Sequence, residues 1–168
     1  MVCAAPRLET ARLVLREYRR QDFEAFSAYY ASPRSKFTDG PIPRQRAWEM
    51  FAAGSGRWPL VGYGAWTVAL KGTEQTLGLV SLNTLIELEY PELGYILWPE
   101  AEGNGFAFEA VSAARDFAAN HLGLSDLVSC IHEENARSIR LAVKLGALRD
   151  RRLERPDAPA TQVFRHVP

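Results

Sequence analysis

The sequence lacks most of the features that mark secreted, membrane-spanning or disordered proteins. Only two of its 168 residues are cysteines, Cys3 and Cys130, and they lie far apart. Such a pair does not make a disulfide framework and is typical of a reducing compartment. No apolar run approaches the ~18 residues that a membrane-spanning helix requires. The N-terminus also lacks the basic start and long apolar core of a secretory signal, so we expect a cytoplasmic protein.

Net charge is absent as well. The 20 basic and 20 acidic residues cancel, which gives no argument for binding to nucleic acid or to a membrane surface. The three histidines, His121, His132 and His166, show no metal-ligand spacing, and we expect no metal site. Apolar residues form 47% of the chain and charged residues 24%, which is ordinary for a folded protein with one core. We therefore expect a single domain over residues 1–168.

The charges that are present are unevenly distributed. Residues 72–114 contain no lysine or arginine but seven glutamates, whereas arginines are frequent after residue 136. This pattern fits two solvated faces of opposite sign. It also fits an acidic mouth for a cationic ligand beside a basic ledge for an anionic one, and the sequence leaves both interpretations open.

Hydrophobic periodicity predicts a mixed α/β layer fold. Alternating or all-apolar runs indicate strands at 12–18, 63–70, 77–85, 92–98 and 127–131. Helices are expected after an N-cap at Asp22, over 45–53, from Phe106 to a stop at Gly123, and from Asn135 to Leu145 with a stop at Gly146. Residues 32–44 read as a loop, and a final hairpin is expected around 156–159.

One strand-to-helix corner has the composition of an anion site. The sequence WPEAEGNGFAFEA at residues 98–110 ends a strand, passes through Gly-x-Gly and begins a helix. Glycines let the backbone amides turn outward, and the first turn of a helix has unpaired N–H groups that favour an anion. Together these features predict a pyrophosphate cradle built from the amides of residues 102–107. A tight turn into a helix explains Gly-x-Gly alone equally well.

A second informative stretch is NARSIRLAVKLG, at residues 135–146. Asn135 and Ser138 are three residues apart and share a helix face, and Arg140 and Lys144 make a basic edge. Taken singly, these residues have ordinary explanations as an N-cap, a tolerated hydroxyl and solvated charges. The two stretches in this order, with a strand between them, are much more specific.

With these motifs the chain resembles the GNAT superfamily of N-acetyltransferases, and within it the branch of RimJ/RimL-type ribosomal-protein N-terminal acetyltransferases. The resemblance covers nearly the whole chain. It is carried by LETARLVLR at 8–16, ELGY at 92–95, the motif G-x-G-x-A-x-E-A at Gly103, Gly105, Ala107, Glu109 and Ala110, and N-x-x-S followed by L-G at Asn135, Ser138, Leu145 and Gly146. It implies acetyl-CoA as cofactor and a mostly antiparallel twisted sheet of about seven strands. That sheet would be splayed between its fourth and fifth strands, with helices on both faces.

The resemblance also implies which residues hold the cofactor. The pantetheine arm would pair with the backbone of Leu97 and Trp98, and Asn135 would bond the same arm. Arg140 would lie near the nucleotide end. The pyrophosphate would be held by amides of Gly103, Asn104, Gly105, Phe106 and Ala107. One departure is Glu100, where the family often has Arg or Gln; with Glu102 it would repel phosphate unless both side chains point away or Arg140 or Lys144 offsets them.

Acetyl transfer to an amine requires a base, because alkyl amines are mostly protonated at neutral pH. Glu92, at the start of ELGY, is the leading candidate, with an exposed strand-edge charge as the alternative interpretation; Glu87 and Glu89 are weaker candidates. The Leu97 N–H would stabilise the oxyanion. The resemblance places the Ser138 hydroxyl near the departing sulfur. We therefore assign Glu92, Ser138 and Asn135 as the catalytic set.

Other chemically interesting residues are predicted to be structural. Cys130 lies in the apolar run LVSCI and is expected to be a buried, inert thiol rather than an acyl-enzyme nucleophile. His132 is expected at the surface. Aromatic residues expected in the core or in a pocket wall are Trp48, Tyr63, Trp58 and Trp66. By family analogy, residues 37–58 should cover the acceptor groove.

The acceptor itself is not encoded in any motif. A protein N-terminus and a small-molecule amine both fit, with an open groove favouring the former and a closed aromatic pocket the latter. A non-catalytic acyl-CoA-binding sensor is the alternative from another functional class. A nucleotide-binding Rossmann enzyme is disfavoured, because the third glycine and the ribose-binding acid are missing. A homodimer is possible by analogy with relatives.

Overall fold

A computed structural model describes residues 4–84 and 90–166 and contains one mixed sheet with helices packed on both of its faces. The strands are β1 (Leu8–Glu9), β2 (Leu13–Arg16), β3 (Ala65–Leu70), β4 (Thr76–Asn83), β5 (Glu92–Leu97), β6 (Leu127–His132), β7 (Leu148–Arg149) and β8 (Thr161–His166). The α-helices are α1 (Phe23–Ala31), α2 (Arg44–Val61), α3 (Phe106–Leu122) and α4 (Ala136–Lys144). Short 3₁₀ turns cover Arg20–Asp22, Pro33–Phe37, Pro99–Ala101 and Arg151–Leu153.

The strand order across the sheet is β1-β2-β3-β4-β5-β6-β8-β7. Every neighbouring pair is antiparallel except β5 and β6, which are parallel and share the single register pair Glu92↔Val128. The two strands therefore meet at one end and diverge toward the other. The predicted splay between the fourth and fifth strands is confirmed here, because β5 and β6 are the fourth and fifth strands that the sequence analysis counted. The two-residue β1 accounts for the difference in numbering.

Side chains of β5 alternate between two apolar layers. Leu93 and Leu97 belong to the layer that packs against α3, together with the fully buried Trp66. Ile96 belongs to the opposite layer, with Phe26 of α1 and Phe51 of α2. Since successive strand residues point to opposite faces, β5 contributes to both layers. It thus forms the wall between the two halves of the site described below.

The helix α2 is longer than predicted. A short helix over 45–53 was predicted, yet α2 continues to Val61 and ends at Gly62 in a left-handed conformation, φ 83°. Tertiary packing explains the extension, since Trp58 is 3% exposed and its indole N–H donates to the Ala65 carbonyl at 3.0 Å. The burial of Trp58 stabilises the extended helix against the weak helix propensity of Gly54, Gly56 and Pro59.

Two other predictions are corrected. Asp22 stands at the N-cap position of α1 but makes no side-chain capping bond. Its buried carboxylate instead accepts bonds from Arg16 at 2.7 and 2.9 Å and from the Thr67 hydroxyl at 2.9 Å. Trp48 was expected in the core or a pocket wall but is 42% exposed, whereas Trp58 and Trp66 are buried as predicted.

The observed ends of α3 and α4 agree with the ends predicted from the sequence. Gly123 and Gly146 have φ of 68° and 82° after α3 and α4, the left-handed conformation that ends helices. The predicted final hairpin is the antiparallel pair of β7 and β8. Within residues 4–84 and 90–166, no helix has both the length and the apolar character needed to cross a bilayer.

Candidate active site

A cavity of about 960 Å³ passes through the splay between β5 and β6. One end is the loop Gly103–Gly105 with the start of α3, which we call the glycine loop. The other end, which we call the chamber, lies on the α1–α2 side and is lined by Tyr18, Phe26, Tyr30, Met50, Arg57 and Glu92. Ser138 of α4 faces the cavity between these ends. The structure thus joins the two sequence motifs in one continuous space.

The glycine loop has most of the unpaired donors that the sequence predicted at residues 102–107, but the Glu102 N–H is paired, since it donates to the Pro99 carbonyl at 3.3 Å. Gly103 and Gly105 have φ of 79° and 77°, where a side chain would be strained. The first internal bond of α3 runs from the Glu109 N–H to the Gly105 carbonyl at 3.2 Å. None of the backbone N–H groups of residues 103–108 has an acceptor within the described chain. Such a row of donors at a helix N-terminus is suited to a di-anionic phosphate group.

The sequence analysis missed the brace that holds the glycine loop. The Glu109 carboxylate accepts bonds from the Thr10 hydroxyl at 2.5 Å and from the Arg12 N–H and Nε at 2.8 and 2.7 Å. Arg12 also donates to the Asn104 carbonyl at 2.9 Å and lies 4.6 Å from the Phe106 ring centre. The hairpin of β1 and β2 is thereby tied to the glycine loop. Thr10 and Arg12 lie in the motif LETARLVLR, and Glu109 lies in the motif G-x-G-x-A-x-E-A. Neither motif indicates that the two segments are in contact in the fold.

The acidic residues before the glycine loop do not obstruct it. Glu100 is exposed and does not line the cavity. Glu102 does line it, but its carboxylate is held between Arg34 and Arg137. The repulsion that the sequence raised as a concern is therefore offset locally.

The basic residue assigned to the nucleotide end is corrected by helix geometry. Arg140 is exposed and lies outside the cavity lining. Arg137, Leu141 and Lys144 do line it, because residues four and three apart share a face of α4. The predicted basic edge exists, but Arg137 and Lys144 provide it.

The backbone of Leu97 faces the splay, whereas that of Trp98 does not. The Trp98 N–H donates to the Leu77 carbonyl of β4 at 2.9 Å, and the Trp98 carbonyl accepts from Ala101 at 2.9 Å. Its side chain is 3% exposed and lies outside the cavity lining. The assignment of Trp98 to the cofactor arm is therefore wrong. Peptide groups alternate in direction along an antiparallel strand, so those of Leu97 and Tyr95 face the gap between β5 and β6.

Ser138 and Asn135 lie in the cavity lining, as the sequence analysis expected. Asn135 caps α4, and its Oδ1 accepts from the Ser138 N–H at 3.3 Å. The Tyr95 hydroxyl donates to Ser138 Oγ at 3.0 Å, a partner that the sequence analysis did not identify. Burial raises the pKa of Tyr95, so its phenol remains a donor at neutral pH. Ser138 therefore accepts one hydrogen bond and keeps its own proton for a group in the cavity.

Glu92 lies in the chamber rather than at an exposed strand edge. Its carboxylate accepts a bond from Asn83 Nδ2 at 3.3 Å. Burial raises the pKa of Glu92, and hydrogen bonds from Asn83 and the Cys130 backbone reduce that rise only in part. A carboxylate with a raised pKa is better matched to taking a proton from an amine. The weaker candidates Glu87 and Glu89 lie outside the described residues.

Two residues that were expected to be structural, Cys130 as a buried thiol and His132 as a surface residue, line the cavity. Cys130 is half-buried, and burial raises the pKa of its thiol to about 12. It thus stays protonated at neutral pH, in agreement with an unreactive thiol. His132 is not a surface residue but faces the cavity, its ring 5.1 Å from that of Phe37. Within the described ranges, no group of three or more His, Cys, Asp or Glu side chains could hold a metal ion.

The segment 37–58 was expected to cover the acceptor groove, and several of its side chains line the chamber. They are Phe37, Thr38, Asp39, Met50, Ala53, Gly54 and Arg57. Arg57 donates to Asn83 Oδ1, and the same Asn83 amide donates to Glu92. A positive and a negative side chain are thus linked through one amide.

Comparison with known proteins connects this geometry to a family. Residues 12–148 match the family model described as an acetyltransferase (GNAT) domain. The crystal structure of an acetyltransferase from Agrobacterium tumefaciens str. C58 has a TM-score of 0.92 and 34% identity, covering 98% of this chain and 96% of that chain. An uncharacterized N-acetyltransferase of Bacillus subtilis (strain 168) is 28% identical over 145 residues, 84% of this chain and 82% of its own length. RimL, a ribosomal alpha-N-protein acetyltransferase in complex with coenzyme A, is similar in fold, with a TM-score of 0.75 and 14% identity over 96% of this chain and 98% of that chain.

Proposed function

This chain belongs to the acetyltransferase (GNAT) family, and we propose that it acetylates a small primary amine bound in the chamber. It is an N-acetyltransferase that uses acetyl-CoA. The observation that carries the proposal is the continuity of one cavity. That cavity joins six unpaired backbone donors at the glycine loop to a half-buried carboxylate, Glu92, on the far side of the splay.

The residues at the glycine loop fit the cofactor. The N–H groups of residues 103–108 would hold the pyrophosphate, and Arg137 and Lys144 would add positive charge beside it. The peptide groups of Tyr95 and Leu97 would pair with the pantetheine arm, with Asn135 alongside. When bound, acetyl-CoA supplies an acetyl group activated as a thioester.

The chain's own side chains would then handle the protons. Glu92 would take the proton of the ammonium group, so that a neutral nitrogen attacks. A backbone N–H of β5 that faces the splay would stabilise negative charge that develops on the carbonyl oxygen. Ser138, oriented by the Tyr95 hydroxyl, would give a proton to the departing sulfur and take up the second proton that the acetylated nitrogen loses as it becomes an amide. These roles agree with the catalytic set proposed from the sequence and add Tyr95 as a positioning residue.

Aromatic walls favour a small amine over a protein N-terminus. Tyr18, Phe26 and Tyr30 line the chamber, and residues of α1 and α2 form its wall. Membership of the RimJ/RimL branch, a homodimer and a cytoplasmic location stay predictions.

The raised pKa of Glu92 and its position in the chamber also favour catalysis over a sensor role, and substitution tests this directly. With acetyl-CoA and a panel of primary amines, free thiol should appear with the wild type. E92Q should lower kcat by about 100-fold or more while binding coenzyme A with unchanged affinity in calorimetry. E49Q, at an exposed position of α2, is the control. Cofactor binding without thiol release from any amine would contradict the proposal and favour the sensor.

A further inference from the structure

The chamber contains a cation that the acetyl-transfer chemistry does not use. Three arginines line the cavity, namely Arg34, Arg57 and Arg137. Arg34 and Arg137 share the carboxylate of Glu102. Arg57 pairs with no carboxylate among residues 4–84 and 90–166, and its one hydrogen-bond partner there is the amide oxygen of Asn83. A guanidinium has five N–H donors in a planar fork, so most of its capacity is unfilled.

Arg57 lies too far from the glycine loop to serve the cofactor's pyrophosphate. Its partner Asn83 pairs across the sheet with Glu92, the first residue of β5, whereas the glycine loop follows the end of that strand. A strand rises ~3.3 Å per residue, so the six residues of β5 separate the two ends by roughly 16 Å. The anion that Arg57 is suited to bind must therefore enter through the chamber.

The geometry links this cation to the base. One Asn83 amide accepts from Arg57 and donates to Glu92 at 3.3 Å, and it also donates to Ser81 Oγ at 3.2 Å. The positive charge of Arg57 acts on Glu92 without a direct ion pair. Arg57 and Glu92 carry opposite charges on either side of the Asn83 amide. This arrangement is complementary to a ligand whose carboxylate and ammonium groups are attached to one carbon atom.

We propose that the acceptor is an α-amino acid, whose carboxylate binds Arg57 while its amino group faces Glu92. This inference rests on the proposed transferase function and specifies its substrate class. Arg is suited to the role because its fork binds a carboxylate bidentately. A polyamine with only positive charges would instead place a cation against Arg57. The aromatic walls of Tyr18, Phe26 and Tyr30 favour an apolar side chain on the amino acid.

The test compares acceptors that differ only in the carboxylate. L-phenylalanine, L-methionine and L-leucine are each paired with their carboxamides, and kcat/KM is measured by thiol release from acetyl-CoA. The wild type should prefer the free acids by at least tenfold, although the carboxamide amines are intrinsically the easier to deprotonate. R57Q should reduce that preference at least tenfold, and R57K should restore part of it. R46Q, on an exposed turn of the same helix, should keep the wild-type preference.

A second measurement separates this inference from the transferase proposal. Calorimetry of the same acids and amides against the coenzyme A-saturated protein reports recognition without chemistry. Tighter binding of the acids by the wild type but not by R57Q supports the inference even if no thiol is released. Thiol release that is indifferent to the carboxylate, or an R57Q variant that keeps the preference with an unchanged melting temperature, overturns it and leaves the transferase function standing.

Discussion

The two ends of the cavity are built in different ways. The glycine loop is made from consecutive residues, 103–108, and presents unpaired backbone N–H groups. The chamber is made from side chains of α1, α2, β4 and β5, which are far apart in the sequence. A backbone site depends on chain conformation and tolerates many side chains, whereas each chamber residue can change independently. Substitutions can therefore alter cofactor recognition and acceptor recognition separately. Ser138 and the splay lie between the two ends.

The largest expected effect is the loss of coenzyme A affinity when the glycine loop is changed. G103V should weaken coenzyme A binding about 100-fold, because a side chain at φ 79° displaces peptide donors worth about 1.5–3 kcal/mol each. Binding is measured by calorimetry. The control is G123V, where φ is 68° at the other end of α3 and the space is equally open. Equal loss of affinity in both variants would show that strain, rather than lost donors, is responsible.

A substitution between the two ends should affect turnover alone. S138A should lower kcat about tenfold to 100-fold, because the departing sulfur loses its proton donor, with little change in coenzyme A affinity. Y95F should give a smaller decrease, since it removes only the bond that orients Ser138. The readouts are steady-state kinetics and calorimetry. A parallel fall in kcat and cofactor affinity would assign Ser138 to binding.

The charged residues of the chamber should also determine how kcat/KM depends on pH. Burial raises the pKa of Glu92. As the pH falls, its basic form is therefore lost, and kcat/KM decreases, at a higher pH than the pKa of an ordinary carboxyl group would give. Arg57 lowers this pKa and Asp39 raises it; R57Q should move the acidic limb to higher pH and D39N to lower pH. Profiles of kcat/KM against pH measure this, and an acidic limb retained in E92Q would assign it to another group.

The smallest effect is expected behind the glycine loop. E109Q weakens the bonds to Thr10 and Arg12 and should raise the KM for acetyl-CoA several-fold while kcat stays within about twofold. The surface variant E49Q breaks an exposed pair worth at most about 1 kcal/mol and should leave KM unchanged. If E109Q changes kcat instead, the brace acts on the chemistry and not on the loop.

Local patterns predicted the glycine loop, the cap at Asn135 and the strand that begins at Glu92, because each depends on neighbouring residues. The errors came from orientation within a correctly predicted element. The peptide N–H of Trp98, directly after β5, points toward β4 and not toward the splay, and Arg140 lies on the side of α4 away from the cavity. Arg57 was not identified because it follows the predicted end of α2, and tertiary packing of Trp58 extends that helix. Contacts such as Arg12 with Glu109 join segments whose proximity only the fold determines.

The single register pair between β5 and β6 makes the sheet two half-sheets with a seam. The seam lies where the cofactor would enter, so a bound molecule would act as a missing strand and bridge both halves. Saturation with coenzyme A should raise the unfolding temperature by mass action. Hydrogen exchange along β5 and β6 should slow more than along the antiparallel outer strands. The bound cofactor would then join the two half-sheets, and each product release would separate them again.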